Sequence, residues 1–279
     1  MDISGEASTA GRLHLHILGS GSKGNCALVE GPEGLIMIDN GFSRRKVLDR
    51  MHELGLSEDD VRAFVLTHEH SDHVSGLSVW CKKWKGPMFA SYRTPRQRKY
   101  LAELPFREIN PGESLDVAGV RIDTFSTHHD VANPMGFRFS WNDDAIAYVT
   151  DTGTLSAEAM NTLKDARILA LESNHDVPML RTGSYPRHLQ DRILSNTGHL
   201  SNEQAAEVAA TLVTDRTEHL IAMHISQENN RPSLAVRALA ASLGAALDNE
   251  LGSSATLTRE NGTALHICAA GQNRPITLL

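Results

Sequence analysis

Three cysteines in 279 residues, Cys26, Cys81 and Cys268, are too few and too scattered for a disulfide framework. They lack metal-site spacing as well, so each reads as a packing residue in a protein of the reducing cytoplasm. Aromatic residues make up only 5% of the chain, and no run approaches the ~20 apolar residues that span a bilayer, so no membrane partner is expected. Residues 1–11 carry neither a basic flank nor an apolar stretch; they make a poor signal peptide and predict a disordered tail. A net charge of −7 argues against a basic coat for nucleic acid, although a local groove of opposite sign stays compatible with it. No linker, repeat or low-complexity tract divides residues 12–279, which are expected to form a single domain. What is left is ordinary for a globular chain, 41% hydrophobic and 22% charged.

Against that plain background stands Thr67-His68-Glu69-His70-Ser71-Asp72-His73. Residues 61–66, Val-Arg-Ala-Phe-Val-Leu, run straight into it and read as a buried strand. The candidate ligands therefore begin where the strand stops. A single histidine is usually a satisfied core or surface residue. Four ligand-type side chains at H-x-H-x-D-H spacing are not explained that way. Imidazoles at i and i+2 can converge on one cation from a tight loop, while Asp72 and His73 point elsewhere and can hold a second.

The rest of the chain also places its polar residues at strand ends. Strand 12–18 turns Leu13, Leu15 and Ile17 inward and leaves His14 and His16 solvent-facing or at an edge. The glycine-rich turn 19–25 is either an anion cradle or a plain hairpin loop. Strands 27–30 and 35–38 follow, the second ending at Asp39. Ser43 opens a helix; further helices are expected over 74–84 and from Thr94-Pro95 to 104, with a strand at 88–90 between them. A hairpin of 137–141 with 145–150 ends at Asp151, and a helix over 156–164 leads to a buried strand, 168–171, that ends at Glu172. Residues 178–192, with Arg181, Arg187 and Arg192, read as an irregular lid. Ser201 and Gln204 make a capping box, strand 220–223 ends at His224, Pro232 opens a helix, and Asn261-Gly262 turns a last hairpin. This alternation predicts an α/β fold, two mixed sheets covered by helices, with a site along one rim.

Between Asp72 and Glu103 there is no acidic residue. The interval carries Lys82, Lys83, Lys85, Arg93, Arg96, Arg98 and Lys99, interleaved with Trp84, Tyr92 and Tyr100. Such a run is either a contact for a nucleic-acid backbone or a solvated helix face.

The H-x-H-x-D-H loop resembles the second motif of the metallo-β-lactamase superfamily, and the resemblance extends over roughly residues 12 to 270. It implies a four-layer αββα sandwich of two mixed β-sheets, the metallo-β-lactamase fold. Asp39 would then orient the metal loop from behind the ligands. One divalent ion would be held by His68, His70 and His129, the other by Asp72, His73 and His224, with Asp151 bridging them. Adjacent residues of a strand face opposite ways, so only one of His128 and His129 should reach the metal. His129 is chosen, because it precedes Asp130 and stands seven residues before Gly136-Phe137, similar to tRNase Z-like members. Glu172-Ser173-Asn174-His175-Asp176, Gly198-His199-Leu200-Ser201-Asn202 and His224-Ile225-Ser226-Gln227-Glu228-Asn229-Asn230 resemble the YycJ/WalJ family of bacterial metallo-hydrolases. The last two blocks also resemble tRNase Z, but the long arm used on pre-tRNA is not evident.

The resemblance implies phosphodiester hydrolysis and, for the YycJ/WalJ group, a nuclease or exonuclease acting on DNA. Asp72, Glu172 and His199 would be its catalytic residues, the last two working as a proton-donating pair. A bridging carboxylate places two cations roughly 3.5–4 Å apart, where water ionises near neutral pH. Zinc suits the imidazole-rich set; manganese and iron are also accepted by such ligands. The closest rival is a carboxylic-ester or thioester hydrolase of the same superfamily, glyoxalase II-like or β-lactamase-like, which a metal site alone does not separate. The Glu172/His199 pair and the basic segment favour a phosphodiester. A redox di-iron member would carry Glu in place of His70. A non-catalytic nucleic-acid-binding scaffold would have lost ligands, and none is lost here.

Overall fold

Runs of residues apolar at every position, such as Ile168-Leu169-Ala170-Leu171, suit strands buried on both faces, and such strands build both sheets. The structure, a computed structural model, describes residues 11–279; the tail expected over 1–11 lies, Gly11 apart, outside the described residues. The first half holds β1 (His14–Gly19), β2 (Cys26–Gly31), β3 (Gly34–Ile38), α1 (Arg44–Glu53), β4 (Val61–Val65), α2 (Ser71–Val74), α3 (Leu77–Trp80), β5 (Met88–Ala90), α4 (Lys99–Ala102) and β6 (Phe106–Glu108). The second half continues with β7 (Ser114–Val117), β8 (Val120–Ser126), β9 (Met135–Trp141), β10 (Asp144–Val149), α5 (Ala157–Leu163), β11 (Ile168–Glu172), α6 (Val177–Thr182), α7 (Arg187–Ile193), α8 (Asn202–Leu212) and β12 (His219–Met223). It closes with α9 (Pro232–Leu243), β13 (Ala246–Leu247), β14 (Ser254–Thr258), β15 (Ala264–Ala269) and β16 (Ile276–Leu278). One sheet runs β16-β1-β2-β3-β4-β5-β6, the other β13-β14-β15-β12-β11-β10-β9-β8-β7. Both are mixed: β3 to β6 and β10-β11-β12-β15 are parallel, the remaining pairs antiparallel.

Successive residues of one strand enter different cores. Leu15, Ile17, Val29, Ile36 and Val65 meet Phe137, Phe139, Ile146, Tyr148 and Ile221 between the sheets. Ala147, Val149, Leu169 and Leu171, their strand neighbours, pack instead under α5, α8 and α9. On the far side Leu28, Met37 and Phe64 lie under α1 and α3. The layers are αββα. No helix among the described residues is long and apolar enough to cross a membrane.

Where the elements differ from expectation, local chemistry explains it. The helix expected over 74–84 breaks into α2 and α3, because Gly76 sits where a Cβ would collide with the Phe42 carbonyl and its N–H donates to Asn40 O. The helix expected from Thr94 to 104 is a 3-10 turn at Pro95–Gln97 and then α4, split by the extended backbone of Arg98. Residues 178–192 are not irregular: Asp176 caps α6 by accepting from Met179 N, and Pro186 precedes α7. His16 is not solvent-facing, being only 3% exposed. The C-terminal β16, which no local pattern announces, pairs with β1 and makes it an interior strand. Cys26 and Cys81 are buried, Cys268 is half-buried, and all three are free thiols.

Candidate metal centre

Parallel strands bring their C-terminal ends to one rim, and the chemistry collects there. Asp39, Asp151 and His224 follow β3, β10 and β12, and each has a left-handed backbone, with φ of 56°, 56° and 52°. Non-glycine residues seldom adopt that region, and its cost is tolerated mainly where the surrounding structure over-determines it. At each position the chain turns off the strand and leaves its side chain at the rim.

The loop after β4 is held from below by Asp39, which is fully buried. Its Oδ1 accepts from Thr67 N at 2.8 Å; its Oδ2 pairs with Thr67 Oγ1 at 2.8 Å and His73 Nδ1 at 2.7 Å. Fixing Nδ1 fixes the tautomer and leaves His73 Nε2 for a cation. That nitrogen stands 3.3 Å from Asp151 Oδ2 and 3.5 Å from Asp72 Oδ2. Glu172 plays the same part from β11. Its buried carboxylate accepts from the N–H groups of Asp151, Thr152 and Leu200, and its Oε1 also lies 2.8 Å from His199 Nδ1 and 3.2 Å from His224 Nδ1. His224 Nε2 is then left 3.3 Å from Asp72 Oδ2.

Two sets of ligand atoms result, His68 with His70 and His129, and Asp72 with His73 and His224, each within 4.8 Å of one another. The three rings of the first set stand nearly perpendicular, at 78°, 80° and 83°, with centroids 4.9 to 5.2 Å apart. Such rings can meet edge-on around a point, His129 Nε2 being 3.2 Å from His70 Nδ1. His68 Nε2 is buried with no hydrogen-bond partner among the described residues. Three imidazoles converging with an orphaned nitrogen fit a bound cation better than a hydrogen-bonded cluster. Asp151 lies between the sets, its Oδ2 toward His73 and its Oδ1 3.8 Å from His129 Nε2.

Electrostatics in the polypeptide itself separate the two sets. Burial, then the neighbouring imidazole of His129, pushes His70 down to about 4. Burial and His73 push His68 well below the usual imidazole range. These rings are neutral and offer lone pairs. Burial would depress His73 and His224 as well, but carboxylates outweigh it. Asp151, Asp72 and Asp39 hold His73 well above its usual range, and Asp151, Asp72 and Glu172 raise His224 to about 10. Burial would raise Asp72, yet His73 and His224 hold its carboxyl well below the carboxylate range. Concentrated negative charge of this kind is what a divalent cation neutralises.

His128 belongs to no such ligand group among the described residues; its backbone N–H donates to Thr152 Oγ1 and its Nδ1 is buried without a partner. His129→Ala is expected to lower the metal content, and His128→Ala to leave it near wild type, read by elemental analysis of the purified proteins. The reverse pattern would transfer the role to His128.

Three contributors had no distinct signal in the sequence. Asn25, from the glycine-rich turn, places its Nδ2 3.2 Å from Asp72 Oδ2 and 3.0 Å from His73 Nε2. Ser20 Oγ, from the same turn, accepts the His224 N–H at 2.8 Å. Asn174 donates to His224 O at 2.7 Å. The turn is thus a buttress for the rim, which glycine spacing alone did not reveal. A cavity opens above, bordered by His70, Asp72, His199 and His224 and by Tyr185, Leu189 and Arg192 of the α6–α7 segment. Arg192 Nε donates to Asp130 Oδ2 at 2.5 Å. The basic run does not form one face. Lys82 and Lys83 border a groove against Arg44 and Arg45 of α1, and Lys85 bonds Cys81 O. Arg98 instead reaches the metal loop, its Nε donating to Glu69 O at 2.6 Å. Arg93, Arg96 and Lys99 are exposed beside it.

A four-layer αββα sandwich with a histidine–carboxylate centre on its rim defines a hydrolase of the metallo-β-lactamase fold. The chain belongs to the β-lactamase superfamily, whose domain model matches residues 35–225, and within it to the YycJ/WalJ branch. It is 36% identical to exodeoxyribonuclease YycJ of Bacillus anthracis over 80% of this chain and 86% of that protein. It is 35% identical to exodeoxyribonuclease WalJ of Streptococcus pneumoniae over 78% of this chain and 84% of that one. The solved metallo-β-lactamase fold protein YhfI of Bacillus subtilis shares the fold with a TM-score of 0.65 at 11% identity, over 95% of this chain and 99% of that one.

Proposed function

We propose that the protein is a nuclease, hydrolysing phosphodiester bonds of DNA with two divalent cations, zinc by preference, at the rim. His68, His70 and His129 would hold one cation, Asp72, His73 and His224 the other, with Asp151 between them. Bound there, the cations would acidify a water molecule and neutralise the charge on phosphate oxygens. The observation that carries the reading is the Glu172–His199 contact of 2.8 Å. A departing sugar oxygen is a strong base and needs a proton, whereas a thiolate leaving group does not. Glu172 holds His199 by Nδ1, and Nε2 makes no hydrogen bond among the described residues, so the ring is set to donate into the cavity. The exodeoxyribonuclease names of the two relatives supply the choice of DNA. Arg192, borne by α7 and held by Asp130, offers a guanidinium to a phosphate entering from above.

The test is an assay of metal-loaded protein on end-labelled single- and double-stranded DNA, on RNA, and on a small thioester. Release of nucleotides from a DNA end is expected. Cleavage of the thioester with every nucleic acid left whole would overturn the reading.

Arg93 and Arg96 are the members of the basic run placed to follow a backbone, with Arg96 stacked 3.7 Å over Tyr92. Arg98 is left alone because it supports the Glu69 carbonyl. Replacing Arg93 and Arg96 by Ala should flatten the slope of log K against log salt by roughly 0.7–0.9 for each phosphate no longer neutralised. Cleavage of a small nitrophenyl phosphodiester should not change. A slope equal to wild type assigns the run to an ordinary solvated face.

A further inference from the structure

The opposite end of β1 from the rim carries a second cluster of ligand-type side chains. His14 and His16 stand at i and i+2 and so share one face of the strand. Glu30, directly opposite His14 on β2, rises between them. One carboxylate oxygen, Glu30 Oε2, lies 3.1 Å from His14 Nδ1 and 3.1 Å from His16 Nε2. Ligand atoms around a tetrahedral zinc, each about 2.0–2.1 Å from it, stand about 3.3 Å apart. We propose that His14, His16 and Glu30 form a separate structural zinc site that pins β1, β2 and the C-terminal β16 together.

The surroundings fit that chemistry. His16 Nδ1 is 2.9 Å from Thr277 Oγ1 on β16. A hydroxyl on the far nitrogen fixes the tautomer and turns Nε2 toward the cation, as outer partners of zinc histidines do. Among the described residues His14 Nε2 is buried without a partner, and the shared Glu30 oxygen is the polar contact that holds that ring. Burial pushes His16 below the usual imidazole range, which keeps its lone pair free, and the two imidazoles keep Glu30 ionised in spite of its partial burial. Two imidazoles and one carboxylate are a donor set that a divalent ion such as zinc accepts. The Glu30 side chain is 43% exposed and that of His14 19%, so a cation can enter from solvent and a water can complete its shell. The His16↔Thr277 register makes β16 the element that the site would secure.

The test uses the full chain, stripped of metal and then equilibrated with buffered zinc in the presence of a weak competing chelator. Bound zinc is counted in wild type, His14→Ala and the isosteric Glu30→Gln. Each variant is expected to hold one zinc fewer than wild type, whatever number the rim retains, so this site and the rim are read independently. Hydrogen exchange of the Ile276 to Leu278 amides gives a second reading on wild type alone. Zinc at 100 times its dissociation constant should slow their exchange by up to about 100-fold, if opening releases the ion. Equal zinc counts in all three proteins, or β16 amides indifferent to zinc in wild type, would show that the cluster is only a hydrogen-bonded network.

Discussion

Asp151→Ala should reduce the metal bound at the rim from two ions to one or none and abolish turnover on DNA. Asp151 is 2% exposed and stands between both ligand sets. Burial would raise its carboxyl, but His224, His73 and His68 hold it well below the carboxylate range. It is therefore the anion against which three imidazoles are arranged. On the proposed ligand set its removal would take a shared ligand from both cations, and the fall in turnover should exceed the roughly 10²–10³ that removing one charge-stabilising donor costs an enzyme. The left-handed backbone at 151 adds strain to alanine, on the order of 1–3 kcal/mol. Asp151→Asn separates the effects, since Asn tolerates that backbone and keeps the shape but not the charge. Asn should fold as wild type does and still lose metal. Full turnover with one metal at the rim, measured by elemental analysis of the Glu30→Gln background beside the assay, would refute the two-cation reading.

His199→Ala should keep both metals and lose roughly 10²–10⁴ in kcat on DNA, the usual share of general acid catalysis. The ring is partly exposed at the cavity, 4.9 Å from His129 and 5.3 Å from His224 between centroids. Its one side-chain anchor among the described residues is Glu172. Glu172 has other duties: it also bonds His224 and three backbone N–H groups, and its carboxyl is held down to about 2, against the effect of burial, by His199 and His224. Glu172→Gln is thus expected to disturb metal binding and proton transfer together, whereas His199→Ala isolates the latter. With a nitrophenyl leaving group, which departs without a proton, the loss at His199 should largely vanish. An equal loss on both substrates would mean that His199 shapes the cavity and donates nothing.

The residues legible from sequence were those whose spacing is local. His68, His70, Asp72 and His73 lie in one loop, and a strand stop followed by alternating ligand types needs no tertiary information. Asp39, Asp151, Glu172 and His224 were legible because each closes an apolar run. Asn25, Ser20 and Asn174 were not, since amides and hydroxyls in loops are common and only their partners distinguish them. The basic run shows the reverse case. Its residues are continuous in sequence, but β5 and the extended Arg98 divide them between the α1 groove and the metal loop.

Sequence by itself determined that strands would be buried on both faces, that helices would cover them, and which side chains would stand at strand ends. Those features follow from hydrophobic periodicity and capping, which act over a few residues. Only the tertiary structure decided how the strand ends meet. Parallel pairing puts β10, β11 and β12 in register, and packing of the two sheets brings Asp39 and His73 from one and Asp151, Glu172 and His224 from the other to a single rim. It also decided that β16 returns across the whole chain to cover β1. That pairing buries His16 and joins Thr277 to it, a contact between residues 261 apart, and no local pattern encodes a contact whose strength depends on where the last strand lands.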